Sequence, residues 1–103
     1  MLKLYDQYEN ERKELGLKRV DLISEYAKKY DSLDDVTTDD LINKMITQQK
    51  STNKLIDSYY KKMKKQVGVK QAAQFYQIEN YFLAMIRAAI MEQIPLIGEL
   101  EKE

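Results

Sequence analysis

The sequence contains no cysteine and no histidine. Disulfide staples, thiolate zinc sites and thiol nucleophiles are therefore excluded, and so is the side chain used most often as a general base. The lack of cysteine fits the cytoplasm and equally an export compartment in which no staple is needed. One proline and three glycines in 103 residues leave little punctuation for a fold of many strands and turns. Charge of one sign is not in excess: 17 Lys and Arg balance 17 Asp and Glu. That balance argues against a protein built to neutralise nucleic-acid phosphates. No stretch of about 20 apolar residues exists, so no membrane-spanning helix is expected.

What is present is 44% apolar and 33% charged sequence, enough for one domain with one modest core over residues 1–103. A chain of this size buries roughly 65% of its unfolded surface, so a second copy would add useful stability. The opening residues, Met1 to Lys13, are amphipathic and charged and lack the apolar centre of a signal peptide. The chain reads either as the mature form of an exported protein or as a cytosolic one.

Three long helices are expected. In the first, Leu2 to Tyr30, Leu4, Tyr8, Leu15, Leu22 and Tyr26 recur at helical spacing, and Glu9–Lys13, Glu14–Lys18 and Glu25–Lys29 are i,i+4 pairs in the favourable order. Gly16 lies mid-helix, where it costs up to about 1 kcal/mol against Ala and could kink or split the element. Asp31 to Asp40 forms a connector, with Thr38 as the expected N-cap of the second helix, Asp39 to Val67. Along that helix Ile42, Met45, Gln49, Thr52, Ile56, Tyr59 and Met63 alternate in three- and four-residue steps, a heptad seam through which two copies could pair. Gly68 should end it. The third helix, Val69 to Ile94, carries Phe75, Ile78, Phe82, Met85, Ile86, Ala89 and Ile90 and is expected to be the most buried, with Pro95 as its stop. The expected architecture is all-α, an elongated antiparallel helical hairpin or bundle.

Candidate chemistry is sparse. The connector acids Asp31, Asp34, Asp35, Asp39 and Asp40 lack the spacing and the glycine of a calcium loop, and read as a solvated helix start. Ser24, Ser32, Ser51 and Ser58 have no base partner in view. No catalytic residue, cofactor site or metal site is expected. Glu79, set among apolar residues beside Asn80, reads as a buried structural acid paired with Arg or Lys from a neighbouring helix. The lysine run Lys61, Lys62, Lys64 and Lys65 suits the negative end of a helix dipole, and it lacks the arginines and aromatic platform of a nucleic-acid surface. With Tyr59, Tyr60 and Met63 it also outlines a candidate protein-binding surface, because Tyr gives large contact area and Met adaptability. Of the eight tyrosines, Tyr8, Tyr26, Tyr59 and Tyr76 fall on apolar stripes, and Tyr5, Tyr30, Tyr60 and Tyr81 do so less clearly.

One segment carries a family likeness. Lys61 to Ile97 combines a lysine-rich helix end, a break at Gly68, then Lys70, Ala72 or Ala73, Phe75, Gln77-Ile78-Glu79-Asn80 and a Gln93-Ile94-Pro95-Leu96 finish. This resembles the C-terminal half of small bacterial secreted helical proteins related to Spy and CpxP. The Leu-Thr-x-x-Gln motif of that group is only partly present: Val67 to Gln71 keeps an aliphatic residue and Gln71, and Val36 to Asp40 keeps an aliphatic residue and Thr37. The resemblance implies a periplasmic all-α protein, often a dimer with a cradle-like concave face, that acts in envelope stress without ATP. Such a protein would bind unfolded clients or a protein partner. The alternative is a cytoplasmic, homodimeric coiled-coil module of structural or regulatory use.

Overall fold

The computed structural model describes residues 2–93. Within them the chain is three helices: α1 (Leu2–Lys29), α2 (Asp35–Val67) and α3 (Val69–Gln93), with a single 3-10 turn (Tyr30–Ser32) between the first two. At 1.5 Å per residue α2 is roughly 50 Å long, and the molecule measures 54 × 20 × 17 Å. The bundle is therefore elongated, as the few connectors imply. The stop at Pro95 lies outside the described residues.

Gly16 does not split α1, which is continuous through it. Intrahelical bonds on both sides outweigh one residue of poor propensity. α2 begins four residues before the expected start. Its N-cap is Asp34, whose side chain accepts the Thr37 N–H at 2.8 Å while its carbonyl accepts the Thr38 N–H at 2.9 Å. The Thr37 N–H donated to its side chain holds the Asp34 carboxyl below the usual range. Asp caps a helix at least as well as Thr, so the helix starts from Asp34 and gains a further turn. The connector acids are not drawn together: among the described residues no group of three or more acidic side chains is placed to hold a metal ion.

At the other end one residue joins two helices. Gly68 has φ 94° and ψ 167°, a conformation that is essentially reserved for glycine. Its N–H donates to the Lys64 carbonyl at 3.2 Å, and its own carbonyl accepts the Ala72 N–H at 3.2 Å. Gly68 thus donates the last bond of α2 and accepts the first bond of α3, which lets one residue join the two helices.

α2 runs antiparallel to both neighbours. Glu25 meets Lys44 at 3.1 Å, the Gln48 side chain donates to the Leu15 carbonyl at 2.8 Å, and Tyr59 donates to Glu11. On the other side Tyr60 packs on Tyr76 and Arg87 reaches Asn53. α1 and α3 both pack on α2 but not backbone to backbone on each other; only side chains bridge them. The main core sits toward the Gly68 end and comprises Leu4, Tyr8, Ile56, Tyr59, Met63, Ala72 and Leu83. Tyr8 is its hub, with the Phe75 ring 4.9 Å and the Tyr59 ring 5.4 Å away, both edge-on.

Two expectations about packing are corrected. The α2 seam is not free for a second copy over most of its length, because Thr52, Ile56, Tyr59 and Met63 are buried inside this one chain. α3 is also not the most buried helix. Ala72, Glu79 and Leu83 are buried and Phe75 and Ile90 half-buried, but Ile78, Phe82, Met85 and Ile86 remain 52%, 50%, 52% and 45% exposed. The reason is geometric. α3 has one backbone neighbour, which covers one stripe, and its apolar arc is wider than that stripe.

Candidate functional site

Because α1 and α3 are held apart above α2, an open groove runs between them. Near Gly68 it is lined by Tyr5, Phe75, Ile78 and Glu79. At its centre a cavity of about 220 Å³ lies between Leu15 and Gly16 of α1 and Phe82 and Ile86 of α3. Farther on, a mostly apolar cavity of about 160 Å³ is lined by Ile23, Met45 and Ile90, with Arg19 and Arg87 on either side. The α3 wall follows from spacing: Phe75, Ile78, Phe82, Ile86 and Ile90 recur in three- and four-residue steps, share one side of the helix and line these cavities. Gly16 lowers the α1 wall, and apart from the backbone of its own helix turn no atom lies within 4 Å of where its Cβ would be.

A polar clamp closes the floor. Glu79, 5% exposed, accepts from the Tyr8 hydroxyl at 2.5 Å and from Arg12 Nη1 at 2.9 Å. Arg12 also lies 3.9 Å from Glu9 and over the Tyr8 ring at 5.6 Å. Burial, then the hydrogen bond to Glu79, push the Tyr8 hydroxyl well above the ordinary tyrosine value. Burial works against the Arg12 charge, but the Glu79 carboxylate outweighs it and Arg12 is raised. A tyrosine held neutral beside an ionic pair is suited to tying α1 to α3. No buried side-chain polar atom among the described residues lacks a partner. A second tyrosine does similar work between α1 and α2: the hydrogen bond from Tyr59 to Glu11, and after it burial, push the Tyr59 hydroxyl up to about 12.

The surface outlined from the sequence around the lysine run is corrected. Tyr59 and Met63 are core residues, and Tyr60 is half-buried against Tyr76. Lys61, Lys62, Lys64 and Lys65 are exposed, and two of them fold over the tyrosines: Lys62 Nζ covers the Tyr59 ring at 4.5 Å and Lys64 Nζ the Tyr60 ring at 5.4 Å. Residues 59 and 63 sit three and seven positions after Ile56, so they share its buried face and cannot join the lysines outside. Glu79 is buried and paired with an arginine of a neighbouring helix. Arg12 and Arg19 did not stand out in the sequence. Their signal is the step pattern Tyr5, Glu9, Arg12, Gly16, Arg19, Ile23, which puts two arginines on the groove wall of α1.

Comparison with protein-family models, with curated proteins and with solved structures finds no match to this chain. No described helix is long and apolar enough to cross a membrane.

Proposed function

We propose that this protein is a non-catalytic helical binding module that holds an apolar segment of an unfolded or partner protein in the groove between α1 and α3. The observation that carries the reading is the half-exposed row Ile78, Phe82, Met85 and Ile86 beside that groove. Contiguous apolar surface of this kind is what soluble proteins reserve for contacts. Two of the wall residues are aromatic, and methionine adds adaptability to varied segments. The likeness to the Spy and CpxP group supports a periplasmic setting and chaperone-like action without nucleotide. The test is suppression of aggregation of a chemically unfolded client, followed by light scattering in the absence of nucleotide. Suppression by the wild type that is lost in Phe82→Asp supports the reading. Aggregation that proceeds unchanged at stoichiometric excess refutes it.

A second reading is a homodimeric coiled-coil module, cytoplasmic in that case, and the exposed three-and-four pattern of the α3 wall favours it over the buried α2 seam. Sedimentation of the wild type and of Phe82→Asp separates the two. A dimer abolished by the substitution supports self-association, whereas a monomer in both supports the binding module.

A further inference from the structure

Arg19 on α1 and Arg87 on α3 line the same cavity, at the end of the groove farthest from Gly68. Its other walls are mostly apolar side chains, among them Leu22, Ile23, Met45 and Ile90. Both arginines are half-buried, and among the described residues neither has a carboxylate within ion-pair range. Arg87 Nη2 donates to Asn53 at 3.4 Å, an exposed neutral acceptor. By contrast, Arg12, two turns along the same wall, is fully engaged by Glu79. Two like charges beside one apolar cavity repel and resist desolvation. Burial first, and then the Arg87 charge, hold the Arg19 guanidinium below the ordinary arginine value. An anion between them would turn both penalties into gains, and the guanidinium fork matches a carboxylate in two hydrogen bonds.

We propose that Arg19 and Arg87 form a carboxylate-recognition end of the groove, and that the groove's occupant is an amphipathic helix of a partner protein carrying a Glu or Asp at the edge of its apolar stripe. This rests on the protein-binding reading of the groove and specifies its partner. Charge complementarity selects the acid. The form of the occupant follows from the walls: two roughly parallel helices, one of them apolar at three- and four-residue steps, leave a trough that a third helix fills with its own side chains interleaved. The bound partner would complete a four-helix arrangement over α2. Its apolar residues would lie on Phe82 and Ile86, and its acid would reach the arginine pair.

The test uses the full chain and three fluorescein-labelled amphipathic helical peptides, identical except for Glu, Gln or Lys at one position flanking the apolar stripe. Fluorescence anisotropy should show the Glu peptide binding about tenfold more tightly than the Gln peptide, as a charge-assisted hydrogen bond predicts. The Lys peptide should bind more weakly still. The double variant R19Q/R87Q should erase the Glu preference, so that it binds the Glu and Gln peptides alike. Its thermal midpoint should match or exceed that of the wild type, because a repulsion is removed and no native ion pair is lost. Equal binding of the Glu and Gln peptides overturns the carboxylate site and leaves the groove reading standing. Failure of all three peptides to bind overturns both. A chain that sediments as a dimer, and binds peptide only as the dimer dissociates, assigns the groove to a second copy and overturns the partner-helix proposal.

Discussion

Glu79 accepts a 2.5 Å hydrogen bond from the hydroxyl of Tyr8, a residue 71 positions away in sequence and on a helix whose backbone α3 does not touch. With Arg12 on the same carboxylate oxygen, this contact bridges the outer helices across the groove. Together with the Tyr8–Phe75 ring contact, it explains how α1 and α3 keep their spacing without backbone contact.

Replacing Glu79 by Ala should therefore destabilise the chain more than its single position suggests. The Tyr8 hydroxyl would be buried without an acceptor, a penalty of about 1–3 kcal/mol, and Arg12 would lose its partner. Arg12 is partly exposed and can turn to water, which limits its share. Glu79→Gln keeps an acceptor and should recover part of the loss. Urea unfolding of the three proteins measures the order: wild type, then Gln, then Ala.

The raised hydroxyls of Tyr8 and Tyr59 make stability depend on alkaline pH. A tyrosine whose folded pKa lies above the unfolded value of about 10 binds its proton more tightly when folded. Its contribution is complete below pH 10 and is lost as pH rises through the folded value, which for Tyr59 is about 12. Thermal midpoints should hold steady from neutral pH to about 10 and fall above it. Tyr59→Phe should start lower, having lost the Glu11 hydrogen bond, and fall less steeply across that window. An equal slope in both proteins would contradict this account.

Periodicity makes the three helices legible because charged and apolar residues separate cleanly along α1 and α2, and Gly68 stands alone between a lysine-rich helix end and the next amphipathic stretch. Register against neighbours is another matter. The spacing of Ile56, Tyr59 and Met63 says that they share a face, but not whether that face meets this chain or another. Here α2 is the central helix and takes the seam inside. The start of α2 is ambiguous because Asp34 and Thr38 are both good caps, and the choice depends on which N–H groups each can reach. Nothing in the sequence pairs Arg19 with Arg87, since only the splay of α1 and α3 brings them to one cavity.

Gly68 is the position where a methyl group should be most harmful for its size. Its Cβ would meet no atom within 4 Å, so the penalty is conformational, not steric. At φ 94° and ψ 167° an L-residue is strained by about 1–3 kcal/mol. Gly68→Ala should lower stability by that amount in urea unfolding and leave the helix content unchanged by circular dichroism.

Gly16 should behave in the opposite way. It lies inside a continuous helix with open space where its Cβ would be. Ala there should stabilise the fold by about 0.5–1 kcal/mol through helix propensity and a less mobile unfolded chain. The same methyl group would raise the α1 wall of the groove. If a partner helix approaches there, Gly16→Ala should raise the thermal midpoint while weakening peptide binding. A gain in both would mean that the low wall plays no part in recognition.

The two sides of α3 offer the sharpest contrast. Leu83 is buried against the core, and its truncation to Ala should cost about 2–5 kcal/mol, the transfer term plus the cavity left behind. Met85 is two positions along, about half-exposed and outside the core cluster. Met85→Ala should change stability by no more than about 0.5 kcal/mol, as exposed substitutions do. If the exposed face is a contact surface, that near-silent change should still weaken capture of clients or peptides. A large stability loss at Met85 would show instead that a second copy covers the face under the conditions of the measurement, because a residue buried in an interface loses stability on truncation as a core residue does.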